Sequence, residues 1–176
     1  PDGLEIGRAQ AVQAAAAGIP PSVDMNPILL KPEGEARSQV VVMGRPTGRM
    51  GAAEYHARAG ELRGVVAEAL ARLRARFDLV VIEGAGSPAE VNLQETDIAN
   101  MFVAEMADAP VLLVGDIDRG GVFASLVGTL DLLPPGHRAR VKGLLVNKFR
   151  GDLAILRPGL DFLERRAGRP VLGVLP

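Results

Sequence analysis

Five short apolar runs limit what this chain can fold into. They are Val40-Val41-Val42-Met43, Leu79-Val80-Val81-Ile82, Val111-Leu112-Leu113-Val114, Gly143-Leu144-Leu145-Val146 and Val171-Leu172-Gly173-Val174. Each is continuous rather than alternating, the pattern of strands buried on both faces of a parallel sheet. Successive runs begin roughly 30 to 40 residues apart, about one strand plus one crossover helix.

The segments between the runs read as helices. Residues 51–77 place Leu62, Val65, Val66, Ala69, Leu70 and Leu73 on one helical face. Shorter helices are predicted over 97–107, 122–133 and 153–167. An alanine-rich helix over 4–17 opens the chain; Gly18 ends it and Pro20-Pro21 forbids its continuation. Ile28-Leu29-Leu30 is a candidate short strand, and Pro134-Pro135-Gly136 reads as a loop before the next strand. The expected fold is a three-layer α/β domain with right-handed crossovers. Its strand C-termini, and with them the ligand site, should lie along one edge.

Composition removes several classes of function. The 176 residues hold no cysteine, which excludes disulfides, cysteine zinc sites and a thiol nucleophile within them. A net charge of −1 provides no basic field for nucleic acid or an anionic membrane. No run approaches the ~18 apolar residues of a membrane span. Pro1-Asp2-Gly3-Leu4-Glu5 has neither region of a signal peptide, so a cytoplasmic location is the default expectation.

Three loops that follow strands are rich in polar residues. In the first, Glu83-Gly84-Ala85-Gly86, an acidic residue at a strand tip suits Mg²⁺, because hard cations prefer carboxylate oxygen. Gly84 and Gly86 would let the backbone approach a phosphate. A plain strand-ending turn with a water-facing glutamate is the alternative. The second, Gly115-Asp116-Ile117-Asp118-Arg119-Gly120-Gly121, sets two carboxylates, a guanidinium and two glycines before a helix. It could hold a metal, anchor anionic groups or order around a nucleotide; the alternative is a surface ion pair beside a glycine turn. In the third, Asn147-Lys148-Phe149-Arg150-Gly151-Asp152, an asparagine after a strand can read adenine through paired donor and acceptor atoms, although loop asparagines without a ligand are as common. Asp24-Met25-Asn26-Pro27 could face the same cleft. Gly44-Arg45-Pro46-Thr47-Gly48-Arg49-Met50-Gly51 is glycine-rich but does not match a P-loop. His56 and His137 are isolated, and no spacing suggests a zinc site or a Ser-His-Asp triad.

In this order and wording the loops resemble cobyric acid synthase. The likeness runs through residues 81–93, 97–101, 115–130, 146–152 and 170–176, with further matches at Gly7-Arg-Ala-Gln-Ala-Val-Gln13 and at 24–32. The family implies ATP- and Mg²⁺-dependent activation of peripheral carboxylates of a corrinoid, adenosylcobyrinic acid a,c-diamide, as acyl phosphates. Ammonia from glutamine, released by a glutaminase domain of the same chain, then displaces phosphate. Its synthetase domain is P-loop-NTPase-like and resembles dethiobiotin synthetase. Carried onto this sequence, Glu83 matches the Mg²⁺-binding acid, within the turn of Gly84 and Gly86. Asn147, with Lys148, matches the adenine-reading pair, and Pro176 should lie near the adenine. Asp116, Asp118, Arg119, Gly120 and Gly121 match a signature loop expected on the substrate side, with Asp118 and Arg119 the residues nearest the chemistry; Asp24 and Asn26 belong to that side too.

Two departures from the family pattern stand out. No Gly-x-x-x-x-Gly-Lys-[Ser/Thr] occurs, so the phosphate cradle is missing from these 176 residues, and no cysteine is present to serve a glutaminase. The expectation is a partial synthetase domain over 1–176, without its first strand, its P-loop and the glutaminase domain, and inactive when isolated. A partner-activated switch ATPase of the same fold and a degenerate corrinoid-binding or assembly module are the alternatives.

Overall fold

In the computed structural model, which describes residues 3–33 and 37–176, the chain divides into two units between Glu83 and Gly84. The first unit contains α1 (Arg8–Ala16), β1 (Ile28–Pro32), β2 (Arg37–Val42), β3 (Arg45–Gly51), α2 (Ala52–Ala57) and α3 (Ala59–Arg74). Helix α1 stops where the sequence predicts: Gly18 takes a φ of 70°, and Ile19 N–H returns to Ala14 O at 3.0 Å. The long helix predicted over 51–77 is realised as α2 and α3, separated at Arg58. Leu62, Ala69, Leu70 and Leu73 form the buried face of α3.

The run Val40–Met43 departs from expectation. Its strand, β2, lies in the middle of an antiparallel sheet ordered β1-β2-β3. Val42 pairs with Arg45 across a two-residue turn in which Met43 and Gly44 have φ of 48° and 77°. Positive φ at both central residues gives the turn that matches strand twist and closes a tight hairpin. The glycine-rich stretch after it is therefore the return strand. The pairs Val40↔Gly48 and Val41↔Pro46 leave Thr47 as an extra residue, and its hydroxyl donates to Val40 O at 3.0 Å. Pro46 is tolerated because β3 is an edge strand.

Leu79–Ile82 also departs from expectation: it joins no ladder, and Leu79 and Val81 are 79% and 86% exposed. Apolar content makes a strand only where a neighbour takes its backbone hydrogen bonds, and none does so here among the described residues.

The second unit contains α4 (Met101–Met106), β4 (Val111–Asp116), α5 (Val122–Leu132), α6 (Pro135–Arg140), β5 (Val141–Asn147), α7 (Leu153–Ala167) and β6 (Val171–Val174). Its three strands are parallel in the order β4-β5-β6, as their continuous runs predict. Leu126, Leu130, Val141, Leu144 and Leu163 are almost wholly buried between one face of this sheet and α5 and α7. Each such leucine is worth about 2 kcal/mol of apolar burial. On the opposite face Leu112, Val114 and Leu172 remain about half exposed. The α/β class with a parallel sheet thus holds, although only three of the five runs build that sheet. Pro134-Pro135-Gly136 is not merely a loop, because Pro135 starts α6, a first-turn position where the missing N–H is not needed. Between α5 and α7 a Cβ on Gly159 would fall 2.7 Å from the Phe123 ring, so the helices touch at a glycine. No described helix is long and apolar enough to cross a membrane.

Candidate active site

The parallel register sets Asp116, at the end of β4, beside Asn147, at the end of β5, and Val146 beside Val174 of β6. Two of the polar loops therefore emerge side by side from the C-terminal edge of one sheet. Asp116 is the joint between them. Its Oδ1 accepts from the Asp118 N–H at 3.0 Å, capping the short 3₁₀ turn Ile117–Arg119. Its Oδ2 receives Lys148 Nζ at 2.7 Å and lies 3.8 Å from Arg119 Nε. A second ion pair crosses the loops from Asp118 to Arg150 at 3.4 Å.

The hydrogen bond from Lys148 holds the Asp116 carboxyl below the usual carboxylate range, against the opposing effect of partial burial. The Asp118 amide and the Lys148 and Arg119 charges act in the same direction as that bond. Lys148 has a φ of 61°, a left-handed conformation that costs a non-glycine residue about 1 kcal/mol. Gly120 and Gly121 supply positive φ, 73° and 64°, where the chain turns into α5. Asp118 and Arg119 remain open to solvent, and the Asn147 side chain has no hydrogen-bond partner among the described residues. Pro176 belongs to this edge as well. The neighbouring Leu175 donates its N–H to Val146 O and accepts from Phe149 N–H, both at 2.8 Å. The end of the chain is thereby stitched to the loop that carries Asn147.

Glu83 lies in the first unit and is exposed. Its carboxylate accepts from the Gln13 side-chain amide on α1 and has no ion-pair partner among the described residues. Gln13 is a residue the sequence reading gave no role; the matching stretch of residues 7–13 was the available signal. A carboxylate with a neutral amide as its partner suits a cation ligand. Among the described residues no three His, Asp or Glu side chains form a ready cage, but magnesium needs only one or two carboxylates alongside water and phosphate oxygens.

The two remaining predicted residues carry structural work. Asp24 pairs with Arg72 of α3 at 2.9 Å with its side chain 11% exposed. Asn26 accepts from Gly7 N–H at 2.8 Å and donates to Ile28 O at 3.0 Å. Gly84, Gly86 and the residues beyond belong to the second unit. Gly86 has a φ of 69°, and Gly84 lies against Asn100, another residue whose role the sequence did not reveal.

A family model described as an AAA domain matches residues 14–176. The chain belongs to that AAA-domain family. Across nearly its full length this AAA domain is similar to cobyric acid synthases. It is 65% identical over 175 residues to that of Sorangium cellulosum, covering 99% of this chain and 34% of the relative. It is 62% identical over 177 residues to that of Moorella thermoacetica, covering 100% of this chain and 34% of the relative. The enzyme of Desulforudis audaxviator is 65% identical over 176 residues, with 100% of this chain and 36% of the relative covered. The resemblance drawn from the loops is thus borne out, and the AAA domain spans about a third of the length of these curated relatives. No solved structure matches it.

Proposed function

We propose that this chain is the ATP-using part of a cobyric acid synthase, which amidates peripheral carboxylates of adenosylcobyrinic acid a,c-diamide. The observation that carries the reading is the 62–65% identity to three cobyric acid synthases along the whole chain, including every strand-end loop. In the reaction a substrate carboxylate oxygen attacks the γ-phosphorus of ATP, releasing ADP and leaving an acyl phosphate. Ammonia, supplied from glutamine by a glutaminase domain of the same enzyme, adds to the acyl carbon, and phosphate leaves with the bonding pair as the amide forms.

The residues divide that work. Glu83 holds magnesium, which when bound neutralises charge gathering on the transferred phosphoryl group. Gly84 and Gly86 keep the adjoining backbone free of side chains where phosphate approaches. Asn147 reads the adenine edge through its paired donor and acceptor, with Lys148 and Pro176 framing the base. Arg119 and the Asp116–Asp118 turn, through Gly120 and Gly121, face the corrinoid carboxylate, where a guanidinium can align a carboxylate with two parallel bonds. Asp24 and Asn26 support that side through the backbone contacts they make. No residue of the chain is assigned to a phosphate-cradling lysine loop.

The test is Glu83→Gln in a complete synthase carrying this chain. Amidation that depends on ATP should fall by about three orders of magnitude, as expected for a lost electrostatic contact at the transition state, while glutamine hydrolysis is partly retained. Unchanged amidation would remove Glu83 from the mechanism. ATP turnover that requires a protein partner and ignores corrinoid would replace the proposal with a switch ATPase.

A further inference from the structure

Asn100 occupies the N-cap position of α4 yet makes no capping bond to that helix. An asparagine at this position ordinarily spends its side chain on the helix's own free amides. That task falls to Asp97, which accepts from Ala99 and Asn100 N–H through Oδ1 at 3.0 and 2.9 Å and from Phe102 N–H through Oδ2 at 3.0 Å. The Asn100 side chain is thereby released, and it reaches back fifteen residues. Its Oδ1 accepts from Ala85 N–H at 3.1 Å, and its Nδ2 donates to Ala85 O at 2.8 Å. One side-chain amide thus pairs both backbone polar groups of a single loop residue, as a neighbouring strand would. Gly84 is fitted to this arrangement, since a Cβ there would fall 2.3 Å from Asn100 Oδ1.

We infer that Asn100 is a positioning residue that holds the Gly84-Ala85-Gly86 turn in one conformation, and through it sets the direction in which the chain leaves Glu83. The inference rests on the reading of Glu83 as the magnesium carboxylate. A turn with two flanking glycines has ample freedom to wander, and fixing the residue between them removes most of it. Asn100 touches neither nucleotide nor substrate in this scheme.

Amide exchange in the 176-residue chain tests the clamp without any ligand. Asn100→Ala should speed exchange of the Ala85 amide by about tenfold or more while leaving α5 and β5 amides unchanged. Gly84→Ala should do the same by displacing the Asn100 amide, and should add little on top of Asn100→Ala, where the methyl finds room. An unchanged Ala85 rate in Asn100→Ala, or full additivity of the two changes, overturns the inference. If Asn100→Ala fails to fold, Asn100→Asp keeps size and acceptor, loses only the donor, and should give an intermediate rate; the wild-type rate there overturns the two-bond clamp.

In a complete synthase Asn100→Ala should raise the Mg²⁺ concentration for half-maximal amidation by about tenfold, the effect of losing roughly 1.4 kcal/mol of positioning, with KM for glutamine unchanged. An unshifted Mg²⁺ dependence overturns the link from the turn to catalysis. If Glu83→Gln leaves amidation intact while Ala85 exchange still depends on Asn100, the magnesium reading falls and the clamp stands.

Discussion

The strand β2 of the first unit and the strands β4 to β6 of the second are built from nearly the same material, runs of valine and leucine without alternation. They nevertheless lie in opposite kinds of sheet. The difference is in the connections. Two residues, Met43 and Gly44, send β2 straight back as a hairpin, whereas β4 and β5 are each followed by helix before the next strand. Parallel pairing needs a crossover of a dozen or more residues, and only the second unit supplies them between consecutive paired strands. Run composition therefore reports burial, and the connector decides direction.

The sharpest way to stress the parallel half is Leu144→Ala. This side chain is 0% exposed at the centre of β5. Truncating it should cost about 2–5 kcal/mol, read as a lowered urea midpoint. Leu112→Ala, on the open face of the same sheet, should stay within about 0.5 kcal/mol. Equal losses would mean that the two faces are not distinguished as described.

The hairpin half is stressed at its turn. Gly44→Ala meets both a positive φ and close neighbours, since its Cβ would lie 2.7 Å from Val23 Cγ1 and 2.8 Å from Leu4 Cβ. A loss of about 1–3 kcal/mol in thermal denaturation is expected. Gly120→Ala, at a similar φ of 73° with no atom within 4 Å, should lose only about 1 kcal/mol, the backbone part alone. If the two substitutions prove equal, the packing around Gly44 contributes nothing.

The smallest expected effect separates the polar edge from both cores. The Asp116 carboxyl is lowered in the folded chain by Lys148. Its contribution is therefore fully present above the ordinary aspartate range and is lost as pH falls through the lowered folded value. Carboxyl carbon shifts should show Asp116 titrating below an ordinary aspartate, and Lys148→Met should move it upward. Titration of Asp116 in the ordinary range with Lys148 intact would show that the ion pair is not formed in solution.

Those contrasts also mark what could be read from the chain before its structure. β4, β5 and β6, the cap of α1 and the extent of α7 were legible because burial, Gly18 and helical spacing leave local marks. The hairpin was not, because Met43 gives no sign of a positive φ and Pro46 with Gly48 hides an edge strand among turn residues. The run 79–82 misled because its fate depends on partners elsewhere. In the candidate site, the two loops at the parallel edge were visible as clusters of polar residues. Asn100 and Gln13 were not, since each acts on a residue distant in sequence and nothing local distinguishes it. Asp24 and Asn26 looked like cleft residues because a polar loop carries the same letters whether it faces a ligand or fastens backbone.

The contact between Gly159 and Phe123 has a consequence for tuning the molecule. Phe123 is the second residue of α5, immediately after the loop of Asp116 to Gly121, and the space behind its ring admits a hydrogen atom but not a methyl group. The thickness of one residue on α7 therefore acts as a shim beneath that loop. A lineage could re-aim the loop by exchanging Gly159 for something slightly larger, leaving every polar side chain at the edge of the sheet untouched.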